Sequence, residues 1–141
     1  MYVRRLLFTG PRSGGIATGA LVARLVAGFI FIGFGIGKFT HHADEVASFH
    51  DYGLPSPDAL VYAIGVLEIV GGAMLMLGLG TRIAAFLLAC NMTVAIIVSG
   101  IALGEWVSLT FAPFQLACCL YLLRFGPGRR ALDPEPEPEP V

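Results

Sequence analysis

Four long apolar runs, parted by short polar breaks, dominate the chain. They cover about Ile16 to Phe39, Ala59 to Leu79, Ile83 to Leu103 and Val107 to Phe125. Each is close to the roughly 20 residues that carry a helix across a hydrocarbon core about 30 Å thick. The pattern predicts an all-α fold, an integral membrane four-helix bundle with both termini on one side. Pro113 falls in the first third of the fourth run and is expected to kink that helix, with neighbours re-satisfying the freed carbonyl. The first run is longer and richer in glycine than a signal-peptide core. No small-x-small cleavage site follows "GKFTHHADE", so it is read as a retained span.

The break after the first run, "THHADEVASFHDYGLPSP", is long enough to hold structure. Thr40 suits an N-cap, Asp44 and Glu45 suit the first turns, and Gly53 followed by Pro55 suits a stop. Ala43, Val46 and Phe49 give one apolar side, so a short amphipathic helix is expected to lie on the outer surface. The tail "DPEPEPEPV" is different material, an extended, solvated spacer. The organisation read from these patterns is an N-terminal cytoplasmic segment (1–15), a transmembrane domain (16–125) and a disordered Pro/Glu-rich cytoplasmic tail (126–141).

Composition strengthens the membrane reading. The 141 residues are 56% hydrophobic and 13% charged, whereas a soluble domain carries about 25% charged residues. A net charge of −1, with no basic cluster among aromatics, argues against a nucleic-acid partner. Cys90, Cys118 and Cys119 all sit in apolar runs and read as small buried residues, not as a disulfide framework or a C-x-x-C redox pair. Arginines set the orientation. Arg4, Arg5, Arg12, Arg82, Arg124, Arg129 and Arg130 share the side of the termini, which marks that side as cytoplasmic. The other side holds Lys38 with Asp44, Glu45, Asp51, Asp58 and Glu105. Trp106 and Tyr121 suit interfacial anchors.

Charge inside the runs supplies the candidate chemistry. An acid at a helix centre costs roughly 2.5–3.5 kcal/mol on insertion scales, so Glu68 should face the bundle and find a partner. Gly65, Glu68 and Gly72 share one stripe of the second helix, and Arg24, Gly28, Phe31, Gly35 and Lys38 share one of the first. Glycines on such stripes let backbones approach; Gly33 and Gly37 add a GxxxG. With Lys38 placed at the outer end of the first helix, Glu68 lies about 15 Å inside it and Arg24 about 21 Å. The remaining gap of about 6 Å makes Arg24–Glu68 the preferred pair and leaves Lys38 to snorkel outward. Asn91 and Gln115, on the third and fourth helices, are amides able to bond that pair or to act as interhelical glue. His41, His42 and His50, with Asp44 and Asp51, lack metal-ligand spacing and read as surface side chains, so no metal is expected. A buried pair of this kind locks helix register, or serves as a ligand or proton site. A quinone is one fitting ligand, because its carbonyls need donors and its reduction consumes protons.

Three stretches, "ARLVAGFIFIGFGIGKF", "YGLPSP" and "LEIVGGAMLMLGLGTRIAAFLLACNMTVA", together resemble the DoxX-like family of small bacterial four-helix membrane proteins. The likeness covers about residues 20 to 125. It implies an oxidoreductase component. Founding members of the family are linked to a thiosulfate:quinone oxidoreductase, and some relatives to membrane complexes handling thiols or oxidants. By resemblance, Arg24, Lys38, Glu68, Thr81 and Arg82 match the family's polar positions, although its catalytic residues are not defined. The expectation is therefore a multi-pass protein of the bacterial cytoplasmic membrane, a subunit of an oxidoreductase system with quinone as a fitting cofactor. Its candidate site residues are Arg24, Glu68, Lys38, Arg82, Asn91 and Gln115. Its expected partners are the lipid bilayer, soluble oxidoreductase or sulfur-transfer enzymes, and further copies in a homo-oligomer. Two other readings fit the same residues: a non-catalytic scaffold that recruits soluble redox partners, and a small-solute or proton transporter with Glu68 as relay.

Overall fold

The computed structural model describes residues 10–55 and 57–134. Among the described residues five α-helices follow in chain order: α1 (Gly14–Thr40), α2 (His42–Asp51), α3 (Pro57–Leu77), α4 (Thr81–Ala95) and α5 (Trp106–Phe125). The end of α4 widens into a π-helical stretch, Ile96–Ile101, so the third span runs from Thr81 to Ile101. The four spans are 27, 21, 21 and 20 residues long, each sufficient for a hydrocarbon core. Pro113 lies inside α5 without ending it. The fold is an all-helical membrane bundle, and the protein is a multi-pass integral membrane protein.

Where each helix stops follows from backbone chemistry. The N–H of Gly53 donates to His50 O at 2.9 Å and that of Leu54 to Phe49 O at 3.2 Å, closing α2 around a left-handed glycine at φ 70°. Gly78 and Leu79 close α3 the same way, onto Leu75 O and Met74 O. The start of α2 differs from expectation. Thr40 is not its N-cap: the hydroxyl donates back to Ile36 O and Gly37 O and finishes α1, while His41 holds the N-cap position of α2. Only one residue separates the two helices, so the Thr40 side chain lies nearer the last-turn carbonyls of α1 than the N–H groups of α2.

Small residues set the packing. A Cβ on Gly28 would lie 2.6 Å from Gly72 O, and one on Gly35 would lie 2.9 Å from Gly65 O. Helices α1 and α3 thus touch backbone to backbone at two levels, as close membrane packing requires. The Gly33–Gly37 pair takes no part, since nothing stands within 4 Å of either position. Ala84, Ala85, Leu88, Cys119 and Leu122 fill the core between the remaining helices. Large apolar side chains such as Phe29, Phe86, Ile101 and Trp106 point outward, the distribution expected where the solvent is lipid.

The segment after α5 departs from the expected disordered tail. Residues 126–134 fold back across the helix ends at the face where α1 begins and α5 ends. Arg129 N–H donates to Ala17 O at 3.2 Å, Leu132 N–H to Leu77 O at 3.2 Å and Asp133 N–H to Gly78 O at 2.8 Å. Asp133, buried, accepts the N–H groups of Gly80 and Thr81 and so caps α4. The strap satisfies helix-end groups that would otherwise lie unpaired at the bilayer boundary. Alternating Pro and Glu begin only after "GPGRRAL", which lacks that composition. Residues 135–141 and 1–9 lie outside the described residues.

Candidate functional site

Glu68 projects from the glycine stripe of α3 into the bundle and is 3% exposed. Its Oε2 lies 3.2 Å from Lys38 Nζ, and its Oε1 accepts a hydrogen bond from Asn91 Nδ2 at 3.0 Å. Lys38 is 9% exposed and also stands 3.8 Å from Glu45 on α2. One ammonium therefore sits between two carboxylates, beneath the outer helix.

This pairing corrects the expected Arg24–Glu68 contact. The two glycine contacts place Lys38 level with Tyr62 and Arg24 level with Met76. Glu68 is then about 9 Å from the level of Lys38 and about 12 Å from that of Arg24. Placing Lys38 opposite the first residues of α3, as its position at the outer end of α1 suggests, puts it four positions too far along. Lys38 does not snorkel, because the carboxylate below holds it inward. Arg24, 1% exposed, has a different task. Its Nε donates to Leu75 O at 2.9 Å, and its two Nη groups donate to Met76, Pro127, Arg129 and Arg130 carbonyls. The guanidinium fork binds carbonyls in the last turn of α3 and ties the strap to them. Arg82, second residue of α4, is at that same face, away from Glu68.

The Lys38–Glu68 pair opens into two adjoining chambers. The larger, about 210 Å³, extends toward α2 and the π-helical end of α4, and its wall includes Glu45, Tyr52, Asn91, Ser99 and Glu105. The smaller, about 100 Å³, runs deeper between Phe31, Phe34, Phe111 and Gln115. Phe34 and Phe111 meet edge-on at 5.9 Å and are both partly exposed, forming the side toward lipid. Gln115 Nε2 donates to Ala27 O at 3.1 Å, while its Oε1 is buried without a hydrogen-bond partner. Chambers of this size suit a small head group rather than a large ligand.

A second polar chain lines the larger chamber. Ser99 Oγ contacts Ser108 Oγ at 2.6 Å, Ser108 Oγ donates to Glu105 Oε2 at 2.6 Å, and the Tyr52 hydroxyl lies 3.4 Å from the same oxygen. Burial, with Glu105 beside it, pushes the Tyr52 phenol above its ordinary pKa and keeps it a donor. Sequence reasoning missed these residues. Glu105 read only as loop charge, and the π-helical turn that aims Ser99 inward has no sequence signature here, though such turns recur at functional sites. Among the residues singled out from sequence, Lys38, Glu68, Asn91 and Gln115 meet at the chambers; Arg24 and Arg82 do not. The histidines divide: His42 Nε2 pairs with Asp58 at 2.8 Å and stacks on Tyr62, while His50 is exposed.

A profile of the DoxX family matches residues 19–100. The chain belongs to the DoxX family. The DoxX match holds α1 to α4 with Lys38, Glu68 and Asn91, and leaves α5 with Gln115 outside. Among curated proteins, the chain is 32% identical over 116 residues to the "Putative oxidoreductase CatD" of Bacillus subtilis, covering 82% of this chain and 85% of that one. It is 34% identical over 125 residues to the "Uncharacterized membrane protein Rv3486" of Mycobacterium tuberculosis, covering 78% of this chain and 76% of that one. No solved structure matches this DoxX-family chain.

Proposed function

We propose that this DoxX-family protein is the membrane subunit of an oxidoreductase system and offers a quinone head group a site at the Lys38–Glu68 pair, with both termini in the cytoplasm. The carrying observation is a buried ammonium–carboxylate pair that opens into a small chamber walled by aromatic rings on the lipid side. The name of the B. subtilis relative supports the reaction class. Lys38 donates hydrogen bonds to a quinone carbonyl and stabilises negative charge that grows there on reduction. Glu68 exchanges the proton that accompanies each electron. The electrons come from a soluble oxidoreductase partner, so the chain supplies binding and proton handling while its partner supplies reducing equivalents.

The test exploits the energetics of buried pairs. Removing one partner strands a charge and costs about 3–5 kcal/mol, whereas replacing both with apolar groups is often neutral. Lys38→Met alone should lower the thermal midpoint sharply, while the Lys38→Met/Glu68→Leu double variant should return close to the parent. Native mass spectrometry of gently extracted protein should find a quinone with the parent and none with the double variant. A stable double variant that retains its quinone would sink this site. Soluble partners captured without any small molecule, by parent and double variant alike, would make the protein a scaffold.

A further inference from the structure

Proton supply is a step that a buried pair cannot complete by itself. Glu68 is 3% exposed, so a proton that it gives up has to be replaced through a neighbour. Toward the strap no neighbour serves. Phe31, Leu75 and Leu88 fill that level of the bundle, each at most 1% exposed. Neither chamber is lined by Leu75, Leu88, Arg24 or a strap residue. Arg24 is about 12 Å deeper by the α1–α3 register, with its donors engaged by backbone carbonyls.

Toward α2 the arrangement is different. The titratable side chains on the chamber walls are Lys38, Glu45, Tyr52, Glu68 and Glu105. Three routes start at that face, and one arrives. His42 meets Lys38 only at its backbone carbonyl, 3.2 Å away. Glu105 leads through Ser108 to Ser99, whose Oγ stands 2.8 Å from Ala95 O, and a backbone carbonyl passes no proton on. Glu45 lies 3.8 Å from Lys38 Nζ, which in turn lies 3.2 Å from Glu68 Oε2. The Glu45 side chain is 33% exposed, so this route begins in water and ends in the buried pair. The flexible stem of a lysine lets its ammonium swing between two carboxylates.

We infer that Glu45 is the proton carrier of the site, so that protons reach and leave the Lys38–Glu68 pair from the face of α2. This inference rests on the quinone-linked reading above for the use of the protons, and adds their route. As two electrons from the soluble partner reduce the ring, Lys38 passes a proton to the Glu68 carboxylate, and Glu68 passes it to a ring oxygen. Glu45, protonated from water, restores the Lys38 ammonium. Two such rounds supply the two protons of the dihydroxy product, both taken up at the α2 face.

Lys38 is the only lysine in the chain, which makes the test specific. With isotope-labelled lysine, the full chain in lipid nanodiscs gives a single side-chain ammonium signal, and NMR measures how fast its protons exchange with water. Glu45→Gln should slow that exchange roughly tenfold or more, as loss of a positioned proton carrier does. Glu45→Asp keeps a carboxylate and should recover part of the rate, whereas Glu105→Gln should exchange like the parent. Unchanged or faster exchange in Glu45→Gln overturns the inference, and so does an equal slowing in Glu105→Gln. If Glu45→Gln does not fold, Glu45→Asp decides, because its carboxylate is withdrawn by one methylene. Exchange slower than the parent's then supports the inference, and exchange at the parent's rate overturns it. No quinone enters these measurements, so their failure leaves the quinone-linked reading standing. Native mass spectrometry that finds no quinone on the parent sinks that reading whatever the exchange rate.

Discussion

Two cations on one helix face divide the work by shape. Lysine carries a compact charge on a flexible stem, and Lys38 reaches down to Glu68 while staying 3.8 Å from Glu45. Arginine carries a planar fork of five donors, and Arg24 spends them on carbonyls at a helix end and along the strap. Each residue type would serve poorly in the other's place. A third cation matters at the rim of the bundle. The hydrogen bond from His42 to Asp58 is the main cause that raises the imidazole above its ordinary pKa, opposed by a smaller desolvation effect. A group raised on folding gives its full stabilisation below its unfolded pKa and loses it as pH rises through the folded one. The α2–α3 contact is therefore firmest in mild acid and weakens toward alkaline pH. The difference in thermal midpoint between the parent and His42→Gln should shrink from about pH 6 to about pH 9. A difference that is flat, or that grows with pH, would remove His42 as a tether.

Between elements, the decisive contact is α1 against α3, and it is built on absence of side chains. Gly28 with Gly72 and Gly35 with Gly65 fix the register, and that register chooses which cation Glu68 meets. The sequence also offers Gly33 and Gly37, four residues apart on the same helix, yet nothing stands within 4 Å of either. The two pairs should respond differently to an added methyl. Gly72→Ala puts a Cβ 2.7 Å from Gly28 O, a backbone atom that moves only if the helices part. It should lower the thermal midpoint clearly and weaken the Lys38–Glu68 pair with it, whereas Gly33→Ala should lie near the parent or slightly above it, since alanine is the better helix former. Equal losses from the two substitutions, followed by circular dichroism in detergent, would mean that the α1–α3 contact does not set stability. At the far end of α4, the π-helical turn adds a different kind of control. It turns Ser99 inward, where its Oγ lies 2.6 Å from Ser108 Oγ and 2.8 Å from Ala95 O.

For the whole molecule, the legible part was whatever repeats along a helix. Four spans, the outer helix with its Gly53 stop, and the stripe holding Gly65, Glu68 and Gly72 all follow from period and length. Depth was not legible, because a period says which face a residue occupies and not which level of the neighbour it meets; four residues of offset replaced Arg24 with Lys38. The strap was not legible either, because its contacts join distant segments, through backbone bonds such as Asp133 N–H to Gly78 O and through the Arg12 and Arg24 side chains on its carbonyls, and no local pattern encodes them. One property of the whole chain follows from charge alone: which face of the bilayer holds the termini. The arginines at Arg12, Arg82, Arg124, Arg129 and Arg130 gather at the face where α1 begins and α5 ends, and Glu45, Asp51, Asp58 and Glu105 at the face of α2. An excess of arginine belongs on the cytoplasmic side. Ser13 and Ala47 are both exposed, at opposite faces, and serve as reporters. In intact cells, an impermeant maleimide should label Ala47→Cys and spare Ser13→Cys until the membrane is opened. The reverse pattern would turn the molecule over, placing the Lys38–Glu68 chambers on the cytoplasmic side. Soluble electron donors would then reach the site from the same compartment as its protons, and the division of labour proposed above would have to be redrawn around that face.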